Sequence, residues 1–252
     1  KTGVLSVQNL QGTQPEIVDY FVNVVLHELA SDLREFLLAS AIFDKFDAKL
    51  MQHILPHVDN KFLLQHIINK GLFIITVDEH QQTYRYHPLF RNSLRIHLHQ
   101  HHPVTYIEHL HQCAADYFLI HHDGESALYH AHLLKDVDRF YHILEECCQR
   151  WFKDGQLLLM LHWLDKVDVN QRLLHPQLAL LHLTGLVFSR QFTQATYLLQ
   201  IIEPAFAQQH NESLRGVLNF ITKILHLFDQ DNYCLKILAY FNIPSNNFIY
   251  NF

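Results

Sequence analysis

The chain has 252 residues, a formal charge of −6 with histidine neutral, and 49% apolar against 17% charged residues. That apolar content builds a continuous core and excludes an intrinsically disordered chain. The 19 Lys and Arg are spread along the sequence, which excludes a basic tract for a phosphate backbone.

Seven glycines and seven prolines are few for this length and point to helices joined by short turns, so the expected class is mostly α. Apolar runs such as 157–161 and 178–183 stop well short of the ~20 residues a membrane span needs, and no secretory apolar segment opens the chain. Cys113, Cys147, Cys148 and Cys234 show no CxxC spacing, which fits a reducing cytoplasm.

Residues 1–14 are polar and unpatterned and read as an N-terminal extension. Pro15 then opens a helical pattern with Ile17, Tyr20, Phe21, Val24, Val25 and Leu29 on one face. Three short helices follow: Ser31 is the expected cap for Leu33, Phe36, Leu37 and Ile42, Asp47 for Leu50, Met51 and Ile54, and Asn60 for Phe62, Leu63 and Ile67.

Gly71 stands where a left-handed residue ends a helix, residues 72–77 read as a buried β-branched strand, and 83–86 is its hairpin partner across the turn 78–82. Pro88 starts the next helix. Helices followed by a two-stranded hairpin are the order of a winged-helix domain, assigned here to residues 15–102.

From 103 to 252 the pattern is helical throughout, with breaks at Asp123-Gly124, Asp154-Gly155, His175-Pro176 and Asn211. About 20 residues per helix and ~40 per pair suit a TPR-like αα-hairpin array; an irregular helical bundle is the other reading. Ala114, Ala115, Ala131, Ala179 and Ala195 are positions where helices can approach closely.

No phosphate-binding or nucleophile-elbow motif occurs, so no catalytic residue is assigned and the chain is not expected to be an enzyme. The 22 histidines are the anomaly. His97 and His101 fall one helical turn apart and could share an ion, but no further ligand pattern completes a shell, and no metal site is assigned.

So many imidazoles also predict a steep change in charge, and with it in solubility and association, between about pH 5 and 7. Carboxylate pairs such as Glu145 with Glu146, or Asp165 with Asp168, read as solvated helix faces. Trp151, Phe152, Trp163, Phe188 and Tyr197 either line a groove for a ligand or partner or belong to the core. The third helix carries only Lys61 and Lys70, and the wing carries Asp78 and Glu79, so direct DNA binding is not expected.

The string Tyr84-Arg85-Tyr86-His87-Pro88-Leu89-Phe90-Arg91-Asn92-Ser93-Leu94, with residues 33–40 and Gly71-Leu72-Phe73 before it, resembles the winged-helix region of MalT-type activators of the LuxR family. These are signal-transduction ATPases of several domains. Residues 109–118, 157–164 and 175–183 are similar to the family's first helical pairs, and the resemblance covers roughly residues 15–205.

It implies an NTPase domain holding ATP or ADP, in cis or in trans, with no cofactor in this chain itself. A winged helix would pack on that nucleotide, helical repeats would sense an inducer or protein partner, and a separate helix-turn-helix would bind promoters. It also makes His87 the candidate nucleotide-state sensor, at the place of the histidine in the Met-His-Asp motif of related NTPases.

Tyr86 and Pro88 depart from that motif, and a structural capping histidine is the other reading of His87. Ser189-Arg190-Gln191 departs as well, since the family's repeats usually place a glycine there. The implied function is a regulatory and sensing segment; the alternative is a stand-alone TPR-like adaptor for proteins.

Overall fold

The computed structural model describes residues 22, 24, 26–80, 82–207 and 212–228. The expected 1–14 extension, the helix start at Pro15, the break at Asn211 and Cys234 lie outside them. The described chain is mostly α with one two-stranded sheet, and no described helix is long and apolar enough to cross a membrane. It packs as two compact units, one closing at Phe140 and the next opening at Tyr141.

The first unit begins with α1 (Ser31–Ser40), α2 (Ala48–Ile54) and α3 (Asn60–Lys70), followed by β1 (Ile74–Asp78), β2 (Thr83–Tyr86) and α4 (Pro88–His101). Asp47 caps α2 as its sequence position implies, accepting a hydrogen bond from Leu50 N at 2.7 Å.

The other two expected caps fall elsewhere. Ser31 is inside α1, whose cap position is Ala30 without a side-chain bond, and its hydroxyl donates to Asp32 instead. Asp59 caps α3, accepting from Phe62 N at 3.0 Å. Asn60 is buried one position further on, and its amide donates to Leu55 O at 2.7 Å and Val58 O at 3.0 Å.

Gly71 ends α3 at φ 63°, the left-handed conformation that glycine adopts without a Cβ penalty, and its N–H bonds the last turn. The hairpin pairs Ile74 with Tyr86, Ile75 with Arg85 and Thr76 with Tyr84, then shifts register before Asp78 pairs with Thr83. An antiparallel bridge from Phe46 to Tyr84, with N–O distances of 2.9 Å both ways, ties the wing to the loop before α2.

β1 is only half-buried and Val77 is exposed, contrary to the expected buried strand. Thr76 and Val77 are exposed together where the register shifts, so the strand does not alternate cleanly between core and water. The core beneath gathers Phe36, Leu37, Phe46, Met51, Ile67, Phe90, Leu94 and Leu98.

Two further helices, α5 (Val104–Ile120) and α6 (Gly124–His132), pack together as a hairpin in this same unit, downstream of the 102/103 boundary drawn from the sequence. Ala114, Ala115, Ala127 and Ala131 are buried along their backbones, where small side chains permit close approach. Asp123 caps α6 through Ser126 N at 3.1 Å.

The second unit holds most of α7 (Val137–Lys153), then α8 (Leu157–Asp165), the short α9 (Val169–Leu174), α10 (Pro176–Phe188), α11 (Phe192–Ala207) and α12 (Glu212–Phe228). α10 is its hub, packing on α8, α11 and α12, and is apolar nearly all round, as a central helix must be. Ala179 and Ala195 are fully buried. At Gly185 an added Cβ would run into Met160 and Leu161, so glycine there sets the approach of α8 to α10.

Candidate functional site

The start of α4 is the most constrained point of the winged helix. Pro88 sits in the first turn, where its missing N–H costs nothing, and His87 is the residue before it. The His87 N–H donates to Phe73 O at 2.8 Å, and its carbonyl accepts from Arg91 N at 2.9 Å. Phe73 itself is held at φ 49°, a conformation few non-glycine residues adopt, by this bond and by packing of its ring at a tilt 5.0 Å from Phe90.

Tyr86 lies between the rings of Phe46 at 4.9 Å and Phe90 at 5.5 Å, and its hydroxyl is 2.8 Å from Ser40 Oγ, which donates to Phe36 O. Burial pushes the Tyr86 phenol well above its usual pKa. Arg91 then fastens the same turn of α4 to the end of α1: Nε donates to Ala41 O at 3.1 Å, Nη2 to Ile42 O at 3.4 Å, and Nη1 to Asp44 at 3.0 Å.

Within this frame the His87 side chain makes no capping bond, and its Nδ1 is buried without a hydrogen-bond partner. An orphaned buried imidazole nitrogen costs on the order of 1–3 kcal/mol relative to a satisfied one. The position of His87 is therefore maintained by its backbone bonds, and its ring is the group left over.

The aromatic groove candidates do not share one environment. Trp151 is 5% exposed and packs in the core. Trp163 is partly buried, its indole N–H without a partner and Lys166 Nζ 4.5 Å from the ring centroid. Phe188 and Tyr197 are 63% and 68% exposed, and Phe188 meets Phe152 edge to face at 5.6 Å.

Sequence reasoning missed two buried histidine arrangements. On the α5–α6 hairpin, His111 Nδ1 and His130 Nδ1 lie 2.8 Å apart, so one imidazole donates and the other accepts, and the two cannot both be protonated. His130 stacks on Phe118 with an interplanar angle of 7°.

Burial, then Arg95 and His99, pulls His111 down to about 4. Burial, then His111, Arg91 and Arg95, pulls His130 down to about 3. In the second unit His182 sits between Arg172 and Asp165, its Nε2 3.1 Å from the carboxylate, and burial with Arg172 lowers it to about 4 against the pull of Asp165. Nothing in their positions among the 22 histidines signalled that these three turn inward.

His97 and His101 stack in parallel, with centroids 5.7 Å and planes 4° apart. Among the described residues no group of three or more His, Cys, Asp or Glu is arranged to hold a metal ion.

Comparison with known proteins places this geometry. Residues 22–106 match the family model described as the MalT winged helix domain. The chain is 25% identical over 213 residues to the HTH-type transcriptional regulator MalT of Cronobacter sakazakii, covering 84% of this chain and 24% of that protein. To MalT of Vibrio parahaemolyticus it is 27% identical over 194 residues, covering 77% and 21%. The chain thus spans about a quarter of the length of the curated relatives it matches.

Proposed function

We propose, because residues 22–106 match the MalT winged helix domain model and the chain resembles MalT regulators over most of its length, that it is the regulatory and sensing segment of a MalT-like, LuxR-family transcriptional regulator. It works by docking and has no turnover of its own. The winged helix packs on an NTPase domain, in cis or in trans, and reports whether ATP or ADP is held there. The TPR-like helical array binds an inducer or a protein partner, and promoter recognition belongs to another part of the regulator, in the cytoplasm.

His87 carries this reading. Its side chain stands at a helix start, where backbone N–H groups favour anions, and makes no capping bond there, so its ring can turn to meet a docked phosphate. An inducer that prefers the undocked arrangement shifts the population by its difference in affinity for the two states.

The test is ADP affinity in the full-length regulator. His87→Ala is expected to weaken it about tenfold or more, the loss of one hydrogen bond to a charged group. Affinity equal to wild type would remove His87 from the nucleotide site.

A free-standing adaptor for proteins is the second reading, favoured by the exposed Phe188 and Tyr197. A P-loop encoded upstream and a helix-turn-helix downstream in the same reading frame decide for the regulator.

A further inference from the structure

At the other end of α4 from His87, about 20 Å away along the helix axis, lies a cavity of about 490 Å³ between residues 26–27, the first turns of α1 and the last turn of α4. Its size is that of a pocket for a small organic molecule. Leu26 and Leu38 give it an apolar floor, and His27, His97, His101 and His102 complete its lining.

The walls carry donors that the oxygens of an anion can use. The one carboxylate, Glu35, is already engaged, accepting from the Tyr106 hydroxyl at 3.0 Å and lying 3.1 Å from His57 Nε2. The one guanidinium, Arg34, spends Nη2 on Leu29 O at 3.0 Å, and its fork has further donors to offer. His102 is steadied by stacking on Tyr106 at 4.7 Å, and His101 by stacking on His97. A neutral imidazole carries one N–H, so His101 and His102 can each offer a donor to an anion's oxygen.

We propose that this cavity binds a small organic anion, with its phosphoryl or carboxylate oxygens held by Arg34, His101 and His102 and its apolar part lying on Leu26 and Leu38. The site is separate from the nucleotide-sensing position and does not depend on that reading.

Calorimetric titration of the full chain with inorganic phosphate, and separately with citrate, tests it. Saturable binding of either probe is expected, and which one binds tells phosphoryl from carboxylate recognition. Arg34→Gln and His101→Gln should each weaken it about tenfold or more. Both side chains are exposed, so the variants should keep the wild-type melting profile, and His87→Ala should bind like wild type. Failure of both probes to bind below about 10 mM, about 3 kcal/mol of affinity, would overturn the proposal, as would wild-type affinity in both variants or saturable uptake of zinc in place of the anions.

Discussion

In the unit that closes at Phe140, side chains reach across from one element to another: Arg91 to the end of α1, Tyr86 to Ser40, and Glu35 to Tyr106 and His57. The unit that opens at Tyr141 holds its helices together chiefly with Leu and Ala and the close approach at Gly185, with the buried His182 reaching Arg172 and the exposed Asp165. The difference lies in what each kind of contact specifies. A buried polar tie fits one geometry and leaves an orphan when broken, whereas an apolar face tolerates swaps that conserve volume. The winged helix is built to hold one arrangement around the start of α4, and the array is built to stack.

The sharpest way to strain that contrast is in the winged-helix core. Phe90 touches both Phe73 and Tyr86, so Phe90→Ala should cost about 3–5 kcal/mol in urea unfolding and loosen the wing with it. Leu183→Met in α10, a volume-conserving swap at a buried position, should cost less than about 1.5 kcal/mol. Equal losses would erase the distinction drawn here.

Acid should reach both units through their buried histidines. His111, His130 and His182 are lowered in the folded chain to about 4, 3 and 4, so between those values and the unfolded value near 6.5 the unfolded chain binds more protons than the folded one. Their contribution is complete above about pH 6.5 and fades as pH falls toward 4, by up to about 2 kcal/mol per histidine between pH 7.5 and 5. Urea midpoints at pH 7.5 and 5 should show this loss, and His111→Gln with His130→Gln should flatten it. A stability independent of pH over that range would count against the buried imidazole pair.

Helix capping gives a smaller effect. Asp59→Ala should destabilise by about 1 kcal/mol, while Ser31→Ala, which removes no cap, should leave the thermal midpoint within error. The smallest effect has the opposite sign. Arg190, in the turn between α10 and α11, is held at φ 59° and exposed, so Arg190→Gly should stabilise by up to about 1 kcal/mol; a loss would mean that its side chain has a role in the array.

Much of the architecture was legible because it follows from local rules. Asp47, Gly71, Pro88 and Pro176 stand where such residues start or stop helices, and residues 83–86 pair as their position after a polar turn suggests. Asp59 and Asn60 show the limit: adjacent residues of equal capping propensity, of which packing turned one inward to hold Leu55 and Val58. His87 was singled out by resemblance alone, and its unsatisfied ring nitrogen became visible only in three dimensions. The aromatic candidates divided in the same way, since helical spacing does not tell the core side of Trp151 from the solvent side of Tyr197.

By itself the order of residues determined the class, the succession of helices and hairpin, and the lack of any recognised catalytic motif, because periodicity, caps and turns act over a few residues. Which histidines face inward, which carboxylate is hydrogen-bonded across helices and where a cavity opens at the end of α4 were decided only by tertiary packing. Those properties depend on groups brought together from distant parts of the chain, as Tyr106 is to Glu35 and His130 to His111.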